Sequence, residues 1–313
     1  MLPDSTPPFD GDVPDGGYRW WYLDGVSDCG RYSLVVIAFI GSVFSPYYYR
    51  ARHQGRGEPR NFCSINVASY GPAANAWAMT ERGSRQLQTS PTRVQIGRSY
   101  LQLTENRLCV GIAERTTPWL RKLSGNVRVS ANSSSDKVFY LDDEQQHQWQ
   151  PIAPIARIDV ALEHPSLRWS GNAYVDTNFG TRPLEDDFRS WHWSSVRHSG
   201  GSNIYYDALQ TNGKRNCIAL AVDAHNKVRT VEAPPRSRLQ RSSWGIERVA
   251  QHGDASQVIR TLENTPFYAR SVLAFNDNDT PEAGIAIHES LSLERFRRGW
   301  VRTLLPFRMP RIT

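Results

Sequence analysis

The stretch WSGNAYVDTNFG, residues 169–180, reads as a strand running into a turn. Side chains alternate along an extended chain. One face therefore carries Trp169, Ala173 and Val175, and the other carries Ser170, Asn172, Tyr174 and Asp176. An acid two residues beyond a tyrosine fits two readings. Either that face is wet and Asp176 bonds the backbone in an Asx turn, or the face lines a cavity that uses an acid.

The same β pattern continues in both directions. Before it come YRWWYLDGV, RYSLVVIAFI, NFCSINVASY, NAWAMTER, RVQIGRSYLQL and LCVGIAER. After it come FRSWHWSSVRH, NIYYDALQ, CIALAVD, SQVIRTLEN, FYARSVLAF and GIAIHESLSL. Turn clusters such as TNGK and NDND separate them and fit hairpins. Helical signal is thin, with LEDDFRS good for a turn or two. Many short strands at regular spacing predict an all-β chain of sandwiches or barrels. A chain of 313 residues suits two such domains. The polar, proline-rich residues 1–17 read as a flexible lead-in. The prolines of QWQPIAPIARIDVAL place a boundary near residue 155, giving domains at 18–155 and 156–313.

The formal charge of +6 is unevenly spread. Six arginines follow Glu294 with no acid among them, so the rest of the chain is neutral. This basic tail also holds Trp300, Leu304, Leu305 and Phe307. Arginine mixed with Trp, Leu and Phe suits an anionic membrane surface, contacted through Arg295, Arg297, Arg298, Trp300 and Arg302. A solvated last strand accounts for the tail equally well. No nucleic-acid motif accompanies the basic patch. The four cysteines stand far apart, without CxxC spacing, which speaks against a zinc site or disulfide framework and fits a reducing cytoplasm. The longest apolar run, YSLVVIAFIGSVF, is too short to span a bilayer and reads as a buried strand bent at Gly41.

GxSxG, Walker A, HExxH and GxGxxG motifs are missing. The histidines are scattered, so no metal is expected. One constellation remains. QQHQWQP sets His147 and Trp149 two residues apart, as Tyr174 and Asp176 are. If the two halves pack together, both pairs line the cleft between them. A carboxyl group in an apolar pocket stays protonated at neutral pH, and aromatic faces stabilise a nearby cation. The group therefore suits protonation of an alkene. The plain alternative puts Trp149 in the core and His147 on the surface.

Two longer stretches carry a family resemblance. DGGYRWWYLDGVSDCGRYSLVVIAFIGSVFSPYY (15–48) and LRWSGNAYVDTNFGTRPLEDDFRSWHW (167–193) resemble the signatures of carotenoid 1,2-hydratases, also called hydroxyneurosporene synthases. The similarity runs from about Gly16 to the tail. It implies two packed lipocalin-like β-barrel domains and cofactor-independent addition of water to the C1–C2 double bond of acyclic carotenoids such as lycopene and neurosporene. It also implies a cytoplasmic protein at the periphery of the inner, photosynthetic membrane. The family's His-x-Trp and Tyr-x-Asp pairs carry catalytic roles onto His147, Trp149, Tyr174 and Asp176. Trp191, His192, Trp193 and Tyr48 are further candidates for touching a polyene. Each has a structural alternative: a packed aromatic strand for the first three, an exposed strand end for Tyr48. A related cyclase or isomerase, or a non-catalytic lipophile carrier, would use the same architecture.

Overall fold

The computed structural model describes residues 6–251, 257–277 and 280–312, without the side chains of 275–277 and 280–284. The chain forms two units, Met1–Pro183 with Thr303–Thr313, and Leu184–Arg302.

The first unit is built on one curled sheet. Its strands are β1 (Tyr18–Ser27), β2 (Ser33–Ile40), β3 (Cys63–Tyr70), β4 (Ala76–Arg82), β5 (Leu87–Ser90), β6 (Arg93–Ile96), β7 (Ser99–Leu103), β8 (Arg107–Arg115), β9 (Lys122–Ser130), β10 (Phe139–Tyr140), β11 (His147–His164) and β12 (Leu167–Gly180). Neighbouring strands run β4-β3-β2-β1-β12-β11-β9-β8-β7-β6-β5, with β10 paired to β11. β12 thus lies between β1 and β11, so residues more than 120 positions apart in sequence meet around it. One face of this sheet holds the apolar core, including Trp21, Leu23, Val36, Ala38, Ile65, Val67, Ile152, Ile158, Ala173 and Val175. β2 is buried along almost its whole length, which explains its continuous apolar run. It ends at Gly41, whose φ of +70° suits glycine and turns the chain away.

The second unit has β13 (Phe188–His198), β14 (Gly201–Gln210), β15 (Arg215–Asp223), β16 (Val228–Thr230), β17 (Ser237–Leu239), β18 (Arg248–Ala250), β19 (Gln257–Asn264), β20 (Tyr268–Asp277) and β21 (Thr280–Ser292). Seven of them form a sheet in the order β16-β15-β14-β13-β21-β20-β19, and β17 pairs with β18. Its core gathers Val196, Tyr205, Ala219, Ala250, Leu273 and Ala286. The final strand, β22 (Arg311–Ile312), runs parallel to β4 and belongs to the first unit.

Several expectations need correction. The boundary expected at residue 155 falls inside β11. Pro151 and Pro154 mark irregularities in one long strand rather than a linker, since the pairing shifts register between Pro151 and Ala153 and again before Ala156. The division falls instead at Pro183, and the tail returns to the first unit. The lead-in is packed from Phe9 onward: Phe9 and Val13 are buried, and the Phe9 ring meets Trp21 edge-on at 4.7 Å. Residues 1–5 of that expected lead-in, and part of the NDND turn, lie outside the described residues. The tail is mostly helix, over Gly299–Arg308, and only its end, Arg311–Ile312, is a strand. SPYYYRAR is likewise helical: α1 (Pro46–Arg52) is capped by the Ser45 hydroxyl, which accepts from the backbone N–H groups of Tyr47 and Tyr48, and Pro46 opens it. The other helices are α2 (Leu184–Asp187), α3 (Leu293–Phe296) and α4 (Gly299–Arg308). Among the described residues no helix is long and apolar enough to cross a membrane.

Candidate active site

Alternation along β12 sends Val175 into the apolar core and Asp176 to the opposite face. That face is wet at Ser170 and Asn172 and becomes buried at Tyr174 and Asp176. Asp176 is only 5% exposed. Its ladder neighbours are Tyr22 on β1 and Pro151 on β11.

Trp149 of the first pair meets Tyr174 and Asp176 of the second here, while His147 lies opposite Gly180. The Trp149 indole N–H donates to Asp176 Oδ2 at 2.9 Å, and the Tyr174 hydroxyl donates to the same oxygen at 2.7 Å. Trp149 is fully buried, with the Phe139 ring 5.7 Å away. His147 is fully buried as well, so it is no surface residue. Its backbone N–H donates to Asp142 Oδ1, and its Nδ1 lies 2.9 Å from the Tyr18 hydroxyl. The two pairs meet on adjacent strands of one sheet within one unit, and not across two domains as the spacing alone suggested.

β1 completes the face with residues that sequence spacing did not single out. Tyr18 stacks on Trp20 at 4.9 Å and on His147 at 5.8 Å. Tyr22 meets the Tyr174 ring edge-on at 6.1 Å. Asp24, buried like Asp176, pairs with Tyr174 in the ladder and accepts a long 3.4 Å bond from the Tyr22 hydroxyl. Tyr22-Leu23-Asp24 therefore repeats the Tyr-x-Asp pattern of 174–176, antiparallel and in register. That repeat was the available signal, visible once the two stretches are paired. Gly180 sits opposite both Tyr18 and His147. A Cβ there would lie 2.3 Å from the Tyr18 ring and 2.8 Å from His147 Nδ1, so glycine makes room for that pair.

The remaining candidates have other surroundings. Tyr48 is no exposed strand end: it is fully buried, its hydroxyl donates to the Gly17 carbonyl at 2.6 Å, and its ring packs on Phe62 and Arg52. Burial pushes its phenol pKa up. Trp191, His192 and Trp193 are buried on β13 of the second unit. Trp191 packs against Phe188 and Tyr206. His192 Nδ1 lies 3.0 Å from Ser290 Oγ, and its ring stacks on His288. Burial holds both imidazoles neutral, His192 well below the usual range and His288 pushed down to about 4. In the tail, Arg295 is tied to the carbonyls of Trp244, Gly245 and Pro266, and Arg297 reaches that of Glu185. Trp300 is half exposed and stacks on Trp244.

Chemically, the face presents two carboxyl groups out of water, Asp176 with two donors on one of its oxygens and Asp24 beside it, with aromatic rings around them. Comparison with known proteins gives this arrangement a context. An acyclic carotenoid 1,2-hydratase of Thiocapsa roseopersicina is 44% identical over 99% of this chain and 77% of its own length. One from Rubrivivax gelatinosus is 42% identical over 98% of this chain and 76% of its own. The crystal structure of an AttH protein from Nitrosomonas europaea superposes with a TM-score of 0.57 at 14% identity, covering 91% of this chain and 99% of that one, which supports the fold alone. The family model described as carotenoid hydratase CrtC matches residues 36–313, and the chain belongs to that family.

Proposed function

We propose that this chain adds water to the C1–C2 double bond at the end of an acyclic carotenoid, with Asp176 as the acid. The activity follows from the family and from its carotenoid 1,2-hydratase relatives. The observation that carries the mechanism is the double donation onto Asp176 Oδ2 in a buried, aromatic setting. Those two bonds occupy both lone pairs of Oδ2, so the transferable proton sits on Oδ1. Oδ1–H protonates C2, and the electron pair of the double bond forms the new C–H bond. A tertiary cation is left at C1, where the rings of Trp149 and Tyr174 stabilise it. The resulting carboxylate is held by the same two donors, which strengthen as charge develops on it. Water attacks C1 and loses a proton, which returns to the Asp176 carboxylate. His147, held by Tyr18, orients that water. The net reaction consumes one water and leaves the acid ready again. None of these steps requires a cofactor.

The substrate dissolves in lipid, so we also infer that the chain works in the cytoplasm against the inner membrane. Arg298 and Trp300 of the tail are exposed and suit such contact, whereas Arg295 is committed to backbone carbonyls. The test is product mass. Detergent-dispersed lycopene incubated with the protein should gain the mass of one water per reacted end. An isomer of unchanged mass, or untouched substrate, overturns the proposal.

A further inference from the structure

The hairpin joining β8 to β9 ends in Thr116-Thr117-Pro118-Trp119-Leu120-Arg121. Its tip is fixed by the Leu120 N–H to Thr116 carbonyl bond at 2.8 Å, by the Thr116 N–H to Arg121 carbonyl bond at 2.9 Å, and by Arg115, which donates to the Leu120 carbonyl. This firm tip displays Trp119 at 76% exposure and Leu120 at 56%. Leu120 adopts a φ of +52°, where glycine or asparagine would sit without strain. An exposed leucine there gains nothing from burial in the isolated chain.

The same tip is joined to the C-terminal end of α4. The Thr117 hydroxyl donates to the Arg308 carbonyl at 2.7 Å, the Thr117 N–H donates to the Trp77 carbonyl, and the Arg308 guanidinium lies 4.3 Å over the Trp77 ring. On this part of α4, Leu304 and Phe307 stand three residues apart on one face, and Phe307 is 77% exposed. All of these residues belong to the first unit. Arg115, Arg121 and Lys122 are exposed around the tip, with no acid between positions 115 and 122 and none after Glu294.

We propose that Trp119, Leu120 and Phe307, ringed by Arg115, Arg121 and Lys122, form a surface that docks on an anionic lipid bilayer. The chemistry selects that occupant. Tryptophan favours the headgroup boundary, leucine and phenylalanine enter the acyl region, and clustered cations meet anionic headgroups. The surface rests on the proposed activity only for its purpose, which is to reach a substrate dissolved in the membrane.

The test is flotation of the full chain with vesicles of phosphatidylcholine, with and without phosphatidylglycerol. The wild type should float with the anionic vesicles and lose binding as salt rises. The variant Trp119→Ser/Leu120→Gly/Phe307→Ser should bind about tenfold less or weaker. It should hydrate detergent-dispersed lycopene at the wild-type rate and fail on vesicle-embedded lycopene. Equal flotation of variant and wild type overturns the proposal. So does a concentration-dependent dimer that the variant abolishes, since the patch would then be a contact between copies. If the wild type floats as expected but yields no hydrated product in detergent, the surface stands and the hydratase reading falls.

Discussion

Replacing Asp176 by asparagine removes the acid while leaving its surroundings nearly intact. The asparagine carbonyl oxygen can still accept from the Trp149 indole at 2.9 Å and from the Tyr174 hydroxyl at 2.7 Å. What disappears is the O–H that protonates the alkene. Loss of a positioned general acid costs about a hundred- to ten-thousandfold in rate, while stability should change by no more than about 1 kcal/mol. Asp176→Leu is the contrasting variant. It strands the Trp149 N–H and the Tyr174 O–H in a buried site at about 1–3 kcal/mol each, so thermal stability should fall as well. The assay pairs the initial rate of water addition to detergent-dispersed lycopene with the melting temperature of each variant. Asn and Leu variants equally inactive, with only Leu destabilised, assign the proton to this carboxyl group. An asparagine variant at wild-type melting temperature and wild-type rate refutes the reasoning outright. One that melts as early as the leucine variant shows that the carboxylate serves the fold instead.

Gly180→Ala should force the Tyr18 ring and His147 apart, because a Cβ there would approach them to 2.3 and 2.8 Å; the expected cost is about 1–3 kcal/mol with a parallel loss of hydration, and an unchanged melting temperature would contradict the packing. Asp24→Asn keeps an acceptor for Tyr22 but removes the second carboxyl group from the face where a cation forms. The rate should drop about tenfold at constant stability, and an unchanged rate would confine Asp24 to the fold. His288 probes the second unit through pH. Its Nε2–H donates to the Val249 carbonyl at 2.8 Å, and burial pushes the imidazole down to about 4. The unfolded chain, with a histidine near 6.5, takes up the proton first, so stability present above pH 6.5 is lost as pH falls toward 4. The full effect is about 3 kcal/mol. His288→Gln should flatten this slope in denaturant titrations; an identical slope would exclude His288 as its source.

How much of this was legible in the sequence depended on distance along the chain. Local alternation showed the β character, and i, i+2 spacing put Tyr174 with Asp176 and His147 with Trp149 before any strand pairing was known. The contribution of β1 was hidden because Tyr18, Tyr22 and Asp24 reach the site only through a ladder that joins residue 22 to residue 176. Nothing in YRWWYLDGV by itself says which of its two faces looks at β12. The boundary was misplaced for a different reason: proline breaks ladder bonding, and β11 absorbs the two missing donors in irregularities rather than ending. SPYYYRAR was misread because three consecutive tyrosines favour strands, while the serine cap and the proline at the first helical turn decide the outcome. The tail concealed its helix because Pro306 argues against one, yet α4 runs through it to Arg308.

The alternation that made β12 readable also separates its two tasks. Ala173 and Val175 are bound into the apolar core on one side, while Tyr174 and Asp176 work on the other. A strand fixed by its apolar face holds its polar face in place without spending any polar group on stability. β1 follows the same rule, with Trp21 and Leu23 in the core and Trp20, Tyr22 and Asp24 on the reactive side. Core substitutions that delete buried methyl groups, such as Val175→Ala, should therefore shift stability more than chemistry. Substitutions on the other face that keep its hydrogen bonds, such as Asp176→Asn, should act the opposite way. A one-residue slip of β12 against β1 would exchange the two faces completely. The register that joins Tyr22 to Asp176 is thus what the fold must protect above all.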